Sequence, residues 1–294
     1  MAHVGLSVVL ATTHDSDDLR NAIACHTAGL ARVGGELLIA DGTQNGLPTD
    51  VAVAVHLPGA DVFTLRAAAS KLAREAIVAV TEDHCKPEPG WHEAIVRAHE
   101  EHPNVAAVSG AVLNGSPNSI ADWANFLSIF GPFLPPLSAS AVERVPPPFN
   151  VSIKREILDG FELTPGRIEM EIFPHMFHVD QMAVDDRIRL SHIQSHDLRS
   201  TTAAHFHNGR STAGLPYRRP PTRELATRSA HNLILPFLLM AQYTRALRRK
   251  PGYGRIALRA SPLVFLFVCA HAAGEFVGTL RGPGSSPARL EYDE

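Results

Sequence analysis

Cysteine is scarce in this sequence: Cys25, Cys85 and Cys269 lie far apart among 294 residues, with no CxxC pair. An odd, sparse set excludes a disulfide-stapled scaffold and fits a reducing compartment. Net charge is small too, at −3, which removes the electrostatic case for a nucleic-acid binder. Neither GxGxxG nor GxxxxGK[ST] follows the first apolar run, so a dinucleotide dehydrogenase and a P-loop NTPase are disfavoured. There is no GxSxG elbow, which disfavours the serine hydrolases built on that turn. The opening MAHVGLSVVLATTHD has no basic region and no long apolar stretch; the expectation is a cytoplasmic chain without a signal peptide. No internal repeat is evident. What remains is an ordinary globular composition, 45% hydrophobic and 19% charged, with sixteen histidines that invite a search for metal ligands. A folded chain of this length buries roughly 75% of its unfolded surface, so a large core is available.

The first third alternates strand and helix signals. Short apolar runs predict strands at Leu6 to Ala11, Glu36 to Ala40, Val51 to Leu57, Ile77 to Val80 and Val105 to Val108. Helices are predicted at Asp17 to Leu30, with Asp15, Ser16 or Asp17 as N-cap, at Leu65 to Ala76, and from Pro89-Gly90-Trp91 to His99. This alternation predicts an α/β fold with a mostly parallel sheet and helices on both faces. In such sheets ligands bind at the carboxyl ends of the strands. Three polar clusters fall there: Thr12 to Asp15, Asp41, and Glu82-Asp83-His84. With no glycine-rich loop, phosphate is most simply neutralised by a divalent ion on carboxylates.

Proline-dense stretches at Gly131 to Pro136 and Pro146 to Pro148 mark a connection, and a segment rich in His, Asp and Arg follows from Phe149 to Gly214. From Leu215 the chain changes again. Leu233 to Met240 and Pro262 to Ala270 are apolar, with Arg245, Arg248, Arg249 and Lys250 between them. The second run is bounded by Arg259 and interrupted by His271 and Glu275. It is short for a span, which takes about 20 apolar residues. Two readings stand: amphipathic helices on a membrane surface, or helices packed on the main domain. The tail from Gly282 reads as flexible.

Taken together, SVVLATTHD, ELLIADGT, LRAAASKLAREAIVAVTEDHCKPEPGW, NVAAVSGAV and FNVSIKREIL, in this order and spacing, resemble an inverting family-two glycosyltransferase of the GT-A fold over residues 5 to 215. The resemblance implies a nucleotide-diphosphate-sugar donor, an acceptor hydroxyl, and Mn or Mg as cofactor. It implies that Thr12 stands in the donor-binding end of the first strand, that Asp41 binds the nucleotide base, and that Arg66 or Ser70 lies on the donor half. Asp41 before Gly42 also reads as a simple turn aspartate. Counting back from Pro89-Gly90-Trp91, the family's D-x-D motif becomes Glu82-Asp83-His84. Because side chains alternate along a strand, either Glu82 with His84, or Asp83 alone, would face the ion. Histidine suits borderline metals such as Mn, Co or Zn.

Asn150 and Arg155 match the family's N-x-x-x-x-R opening of the acceptor half, and Gly160-Phe161 resembles the pair before the catalytic acid. An inverting transfer needs a carboxylate in reach of the acceptor hydroxyl; Glu169 is the first choice and Glu171 the second, with Met170 where the family carries aspartate. His192, ending Ile188 to His192, is a candidate third ligand. His205 and His207, read as an extended segment with both rings on one face, are compatible with a zinc site, and Arg210 with a phosphate fork. The expected organisation is a GT-A-like domain over 1–214, with a nucleotide-binding half (1–115) and an acceptor half (149–214), and a helical extension over 215–294. The expected partners are the sugar nucleotide, a glycan or lipid-linked acceptor and, through the C-terminal part, the inner face of a membrane, with no nucleic acid. The alternatives are a GT-A-like domain that binds without turnover, and a nucleotidyltransferase, which would carry a basic glycine-rich loop where Thr12 to Asp18 is acidic.

Overall fold

The computed structural model describes residues 5–137, 145–194, 197–214 and 222–289. The chain divides into two compact units, Met1–Gly115 with Phe133–Ile193, and Ser116–Pro132 with Gln194–Glu294.

The first unit is an eight-stranded sheet with helices. In chain order it contains β1 (Leu6–Thr12), α1 (Asp17–Val33), β2 (Gly35–Asp41), β3 (Val53–His56), α2 (Val62–Ser70), β4 (Ile77–Glu82), β5 (Cys85–Pro87), α3 (Trp91–Glu101) and β6 (Ala107–Asn114). After α4 (Ile120–Phe130), which belongs to the second unit, come β7 (Val151–Lys154), α5 (Arg155–Leu158), a single π-helical turn (Ile168–Ile172), α6 (Phe173–His178) and β8 (Met182–His192). The strand order is β3-β2-β1-β4-β7-β6-β8-β5. The β3-β2-β1-β4 half is parallel, while β7 enters antiparallel between β4 and β6. The sheet is therefore mixed.

β1 is buried along its whole length, as a continuous apolar run between two layers must be. Alternation sends Val9 and Ala11 to the face that also holds Val78, Val80, Val151 and Ile153, packed against Leu65, Ile168, Ile172 and Phe173. Leu10 and Ile39 point the other way, onto Leu19 and Ala22 of α1. α1 starts where Ser16 accepts from the Leu19 amide, with Asp17 and Asp18 in its first turn, both favourable to the helix dipole.

Several boundaries differ from expectation. α2 begins at Val62 because Asp61 caps the Thr64 amide, and it stops at Ser70 rather than Ala76. The following residues turn instead, and Arg74 pairs with Glu36 of β2 at 2.7 Å. β6 runs on through Gly110, where a Cβ would meet the Ile188 carbonyl at 2.1 Å; glycine permits that close strand approach.

The second unit is helical: α4, α7 (Leu198–Gly214), α8 (Thr222–Arg248) and α9 (Gly254–Arg281). α8 and α9 run antiparallel, tied by Asn232 to Thr279 (3.3 Å) and by Tyr243 OH donating to the Ala257 carbonyl (2.8 Å). α7 crosses α9 on glycines: a Cβ on Gly209 would meet the His271 carbonyl at 2.0 Å, and one on Gly274 the Phe206 carbonyl at 2.0 Å. At 28 residues α9 is long and apolar enough to cross a membrane by length and composition, longer than the apolar run alone implied. Of the tail, residues 290–294 lie outside the described residues.

α1 and α3 meet through a buried histidine pair, His26 Nδ1 and His92 Nε2, 3.0 Å apart, with the Trp91 ring edge-on to both. Burial drives His26 down to about 3 and His92 to about 4 from the ordinary 6.5. Both imidazoles therefore stay neutral in the fold while the unfolded chain takes up protons. Their stabilising effect is complete above pH 6.5 and is lost as the pH falls through 6.5 toward 4. Urea unfolding followed from pH 7 to 4 is expected to show a steep loss of stability, and a His26→Gln/His92→Gln double variant a shallower one.

Candidate active site

The parallel register sets three strand ends side by side: Thr12 of β1 pairs with Asp41 of β2, and Ala11 with Glu82 of β4. After Glu82 a turn at residues 83–84 leads into β5, whose antiparallel register sets Cys85 directly opposite His192 of β8. Directly opposed residues share a face. The result is a cluster in which Glu82, His84, Cys85 and His192 each offer a donor atom, all within 4.8 Å of one another. His84 Nε2 lies 3.2 Å from His192 Nε2 and 3.3 Å from Glu82 Oε2, and His192 Nε2 lies 3.5 Å from the same oxygen.

Asp83 stands behind this cluster. Its Oδ1 is 2.8 Å from His84 Nδ1, and its Oδ2 accepts from Thr12 Oγ1 at 2.6 Å. The turn thus resolves the alternation argument: Glu82 and His84 face one point together with His192, and Asp83 orients His84. Cys85 directly follows the Glu-Asp-His run, and only the β5–β8 register brings it to the cluster, which no local sequence pattern signals.

Arg66, on α2, is fully buried and bridges two carboxylates. Its Nη2 donates to Glu82 Oε1 at 2.5 Å and its Nη1 reaches Glu169 Oε1 at 3.4 Å. Glu169 is brought inward by the π-helical turn, and its other oxygen, Oε2, is buried without a hydrogen-bond partner among the described residues. Glu171, two positions on, is exposed and pairs with Arg167 at 3.1 Å. Only Glu169 of the two carboxylate candidates therefore meets the rim.

The charges of the cluster are strongly perturbed. Burial works against ionising Glu82, but the Arg66 guanidinium outweighs it and holds the carboxyl well below its usual range. Burial likewise opposes a charged His84, yet Asp83 and Glu82 raise it to about 10. His192 is pushed down to about 4 by burial. Burial and the neighbouring carboxylates push the Cys85 thiol up. Burial raises Glu169 despite Arg66, which moves a carboxylate toward the proton affinity useful in a base near neutrality.

Other predicted residues have local partners. Asp41 accepts from the Thr43 and Leu47 amides at 2.8 and 2.9 Å, the geometry of a turn aspartate; it fixes the loop after β2. Asn150 accepts from Trp91 Nε1 at 2.9 Å and donates to the Ala111 carbonyl at 2.9 Å. Ser70 is buried on α2. Arg155 donates to the Glu75 carbonyl at 3.1 Å. Three of the predicted residues fall in the second unit. His205 and His207 lie on helix α7, not on an extended segment, so their rings diverge: His205 meets Asn125 at 2.8 Å and stacks on Phe267, while His207 meets Ser286 at 2.9 Å. Helical spacing of two residues puts side chains on different faces, and no zinc pair forms. Arg210 donates from Nε to the Gly282 carbonyl at 3.1 Å.

No family model matches this chain, and no curated relative does either. Solved structures do match. The mannosyltransferase PcManGT from Pyrobaculum calidifontis, in complex with GDP-Man and Mn2+, is similar at TM-score 0.54 and 13% identity, over 94% of this chain and 87% of that one. Mannosyl-3-phosphoglycerate synthase from Rubrobacter xylanophilus gives TM-score 0.47 and 16% identity, over 66% of this chain and 68% of that one. Glucosyl-3-phosphoglycerate synthase from Mycobacterium tuberculosis, in complex with Mn2+ and UDP-Glc, gives 0.42 and 16%, over 67% and 74%. The fold is GT-A-like. At these identities the likeness speaks to the fold alone, and the chemistry rests on the rim.

Removing Arg66 would take the guanidinium away from both Glu82 and Glu169 and leave Glu169 buried without that counter-charge. Arg66→Met is expected to lower the free energy of unfolding by about 3–5 kcal/mol. Adding Glu169→Gln to that variant is expected to restore part of the loss, both read by urea denaturation at pH 7.

Proposed function

We propose that this chain is a glycosyltransferase that moves a sugar from a nucleotide-diphosphate donor to an acceptor hydroxyl, with inversion and with a divalent metal. The observation that carries the proposal is the Glu82–Arg66–Glu169 relay at the carboxyl end of the parallel strands: a metal-capable cluster and, one guanidinium away, a buried carboxylate with raised proton affinity. The GT-A-like fold supports it, as does the pairing of GDP-Man with Mn2+ in the mannosyltransferase of similar fold.

In this reading Glu82, His84 and His192 hold the ion, with Asp83 and Thr12 fixing His84. A bound divalent ion would supply counter-charge to the leaving diphosphate. Glu169 accepts the acceptor's proton at its unpartnered Oε2 while the acceptor oxygen bonds to the anomeric carbon and the bond to the diphosphate breaks on the opposite face. Arg66 stays protonated and steadies both carboxylates. Asp41 and Asn150 shape the donor-side loop and the acceptor-half entry by the bonds already described. The mechanism needs neither Glu171 nor Arg210.

The specific observation for a binding-only domain is that Arg66 already pairs with both carboxylates. Calorimetric titration with UDP, GDP, dTDP and CDP, with and without Mn, separates the readings. Micromolar, metal-dependent binding of one diphosphate is expected. With the corresponding sugar nucleotide, Glu169→Gln is expected to keep that affinity and to lose activity at least ~100-fold. Absence of binding by folded protein refutes the transferase; binding with activity unchanged in Glu169→Gln refutes the assigned base.

A membrane-facing acceptor, glycan or lipid-linked, fits the second unit. Leu233 (71% exposed) and Phe237 (66%) of α8 and Leu258 (76%) of α9 face solvent. Phe237 touches Phe265, so the two helices present one apolar strip. Exposed Arg248, Arg255 and Arg259 sit at the hairpin end of that strip. An apolar face rimmed by arginine matches a helix pair lying on anionic lipid. The packing of α9 on α7 by Gly209 and Gly274 favours lying over spanning. Flotation with phosphatidylglycerol vesicles is expected to carry the full chain, and Phe237→Glu/Leu258→Glu to abolish it. Recovery of the unmodified chain only in the soluble fraction at low salt would refute the contact.

A further inference from the structure

The donor set of the rim differs from an oxygen cage. It offers one carboxylate oxygen, two imidazole nitrogens and one sulfur: Glu82 Oε2, His84 Nε2, His192 Nε2 and Cys85 Sγ. Around tetrahedral zinc, N and O donors at about 2.0–2.1 Å and sulfur at about 2.3 Å stand roughly 3.3–3.6 Å apart. The separations here are 3.2 Å between the imidazole nitrogens, 3.3 and 3.5 Å from these to Glu82 Oε2, and 3.9 Å from that oxygen to Cys85 Sγ. Four donors from three strands and one turn thus lie within 4.8 Å of one another, and the three N and O donors stand at the separations of a tetrahedral zinc site.

We infer that Cys85 is the fourth protein ligand of a borderline-soft divalent ion, and that the cluster selects zinc or cobalt over magnesium.

Two further features fit. The oxygens of Glu82 divide their work, Oε1 accepting from Arg66 and Oε2 facing the cluster. Asp83 Oδ1 meets His84 Nδ1, leaving Nε2 to point at the ion, as carboxylates behind metal-bound histidines do. Magnesium asks for six oxygens in near-octahedral array, and only one of these four donors is oxygen. Soft sulfur and imidazole favour ions late in the Mn to Zn series. Zinc also tolerates a fifth ligand, so the set leaves room for a diphosphate oxygen.

The inference deepens the metal part of the proposed function, but its test uses neither donor nor acceptor. Failure here therefore leaves the transferase reading to the nucleotide titration. The full chain, stripped with a chelator, is titrated with cobalt(II). Expected are one cobalt per chain, visible bands of tetrahedral intensity and a near-ultraviolet thiolate-to-cobalt band. Zinc should displace the cobalt, while a thousandfold excess of magnesium should not. Cys85→Ser should lose the near-ultraviolet band, and Asp83→Asn should weaken binding by about 10–100-fold. If Cys85→Ser fails to fold, X-ray absorption of the zinc-loaded unmodified protein decides, with one sulfur at about 2.3 Å expected. A weak octahedral spectrum, no thiolate band, no sulfur shell, or displacement by magnesium overturns the inference.

Discussion

Arg66 places a positive charge, sealed from water, between carboxylates that reach it from opposite parts of the sequence. Burying a guanidinium carries a desolvation cost that only close, well-formed partners offset. Glu82 and Glu169 are those partners. The arrangement ties the end of β4 to the π-helical turn and thereby fixes the spacing between the metal-capable cluster and the buried carboxylate. One oxygen of each glutamate is held by Arg66. The other oxygen of Glu82 faces the cluster, and that of Glu169 is without a hydrogen-bond partner among the described residues.

The same economy recurs along the rim. Thr12 holds Asp83, Asp83 holds His84, and the β5–β8 register holds Cys85 against His192. Glu82 and His84 are each oriented by a group that stands behind them, and Cys85 and His192 by strand register, so the donors converge before any ion arrives. Such preorganisation matters because an ion bound by donors that must first reorganise is bound more weakly.

The alternating strands and helices of the first unit were legible because buried parallel strands are short continuous apolar runs and their helices begin at visible caps such as Ser16. The strand-end acids were legible for the same reason: a parallel sheet sends its carboxyl ends to one rim. The helical character of His205 and His207 was not, since the segment from Leu198 to Gly214 has little amphipathic pattern and is held by packing on α9. Propensity yields to tertiary contact in such a segment.

By itself the sequence determined the sheet half that carries Thr12, Asp41 and Glu82, and Glu82 with His84, against Asp83 alone, was one of the two options that strand alternation leaves. The family resemblance placed Glu169 ahead of Glu171. Only the tertiary structure decided that Cys85 joins the cluster, that Arg66 spans it, and that Asp41 and Asn150 spend their polar atoms on the scaffold. The physical reason is range. Caps, alternation and apolar runs act over a few residues. The register of β5 on β8 and the approach of Glu169 to Arg66 join residues about a hundred positions apart, where no local pattern records the contact.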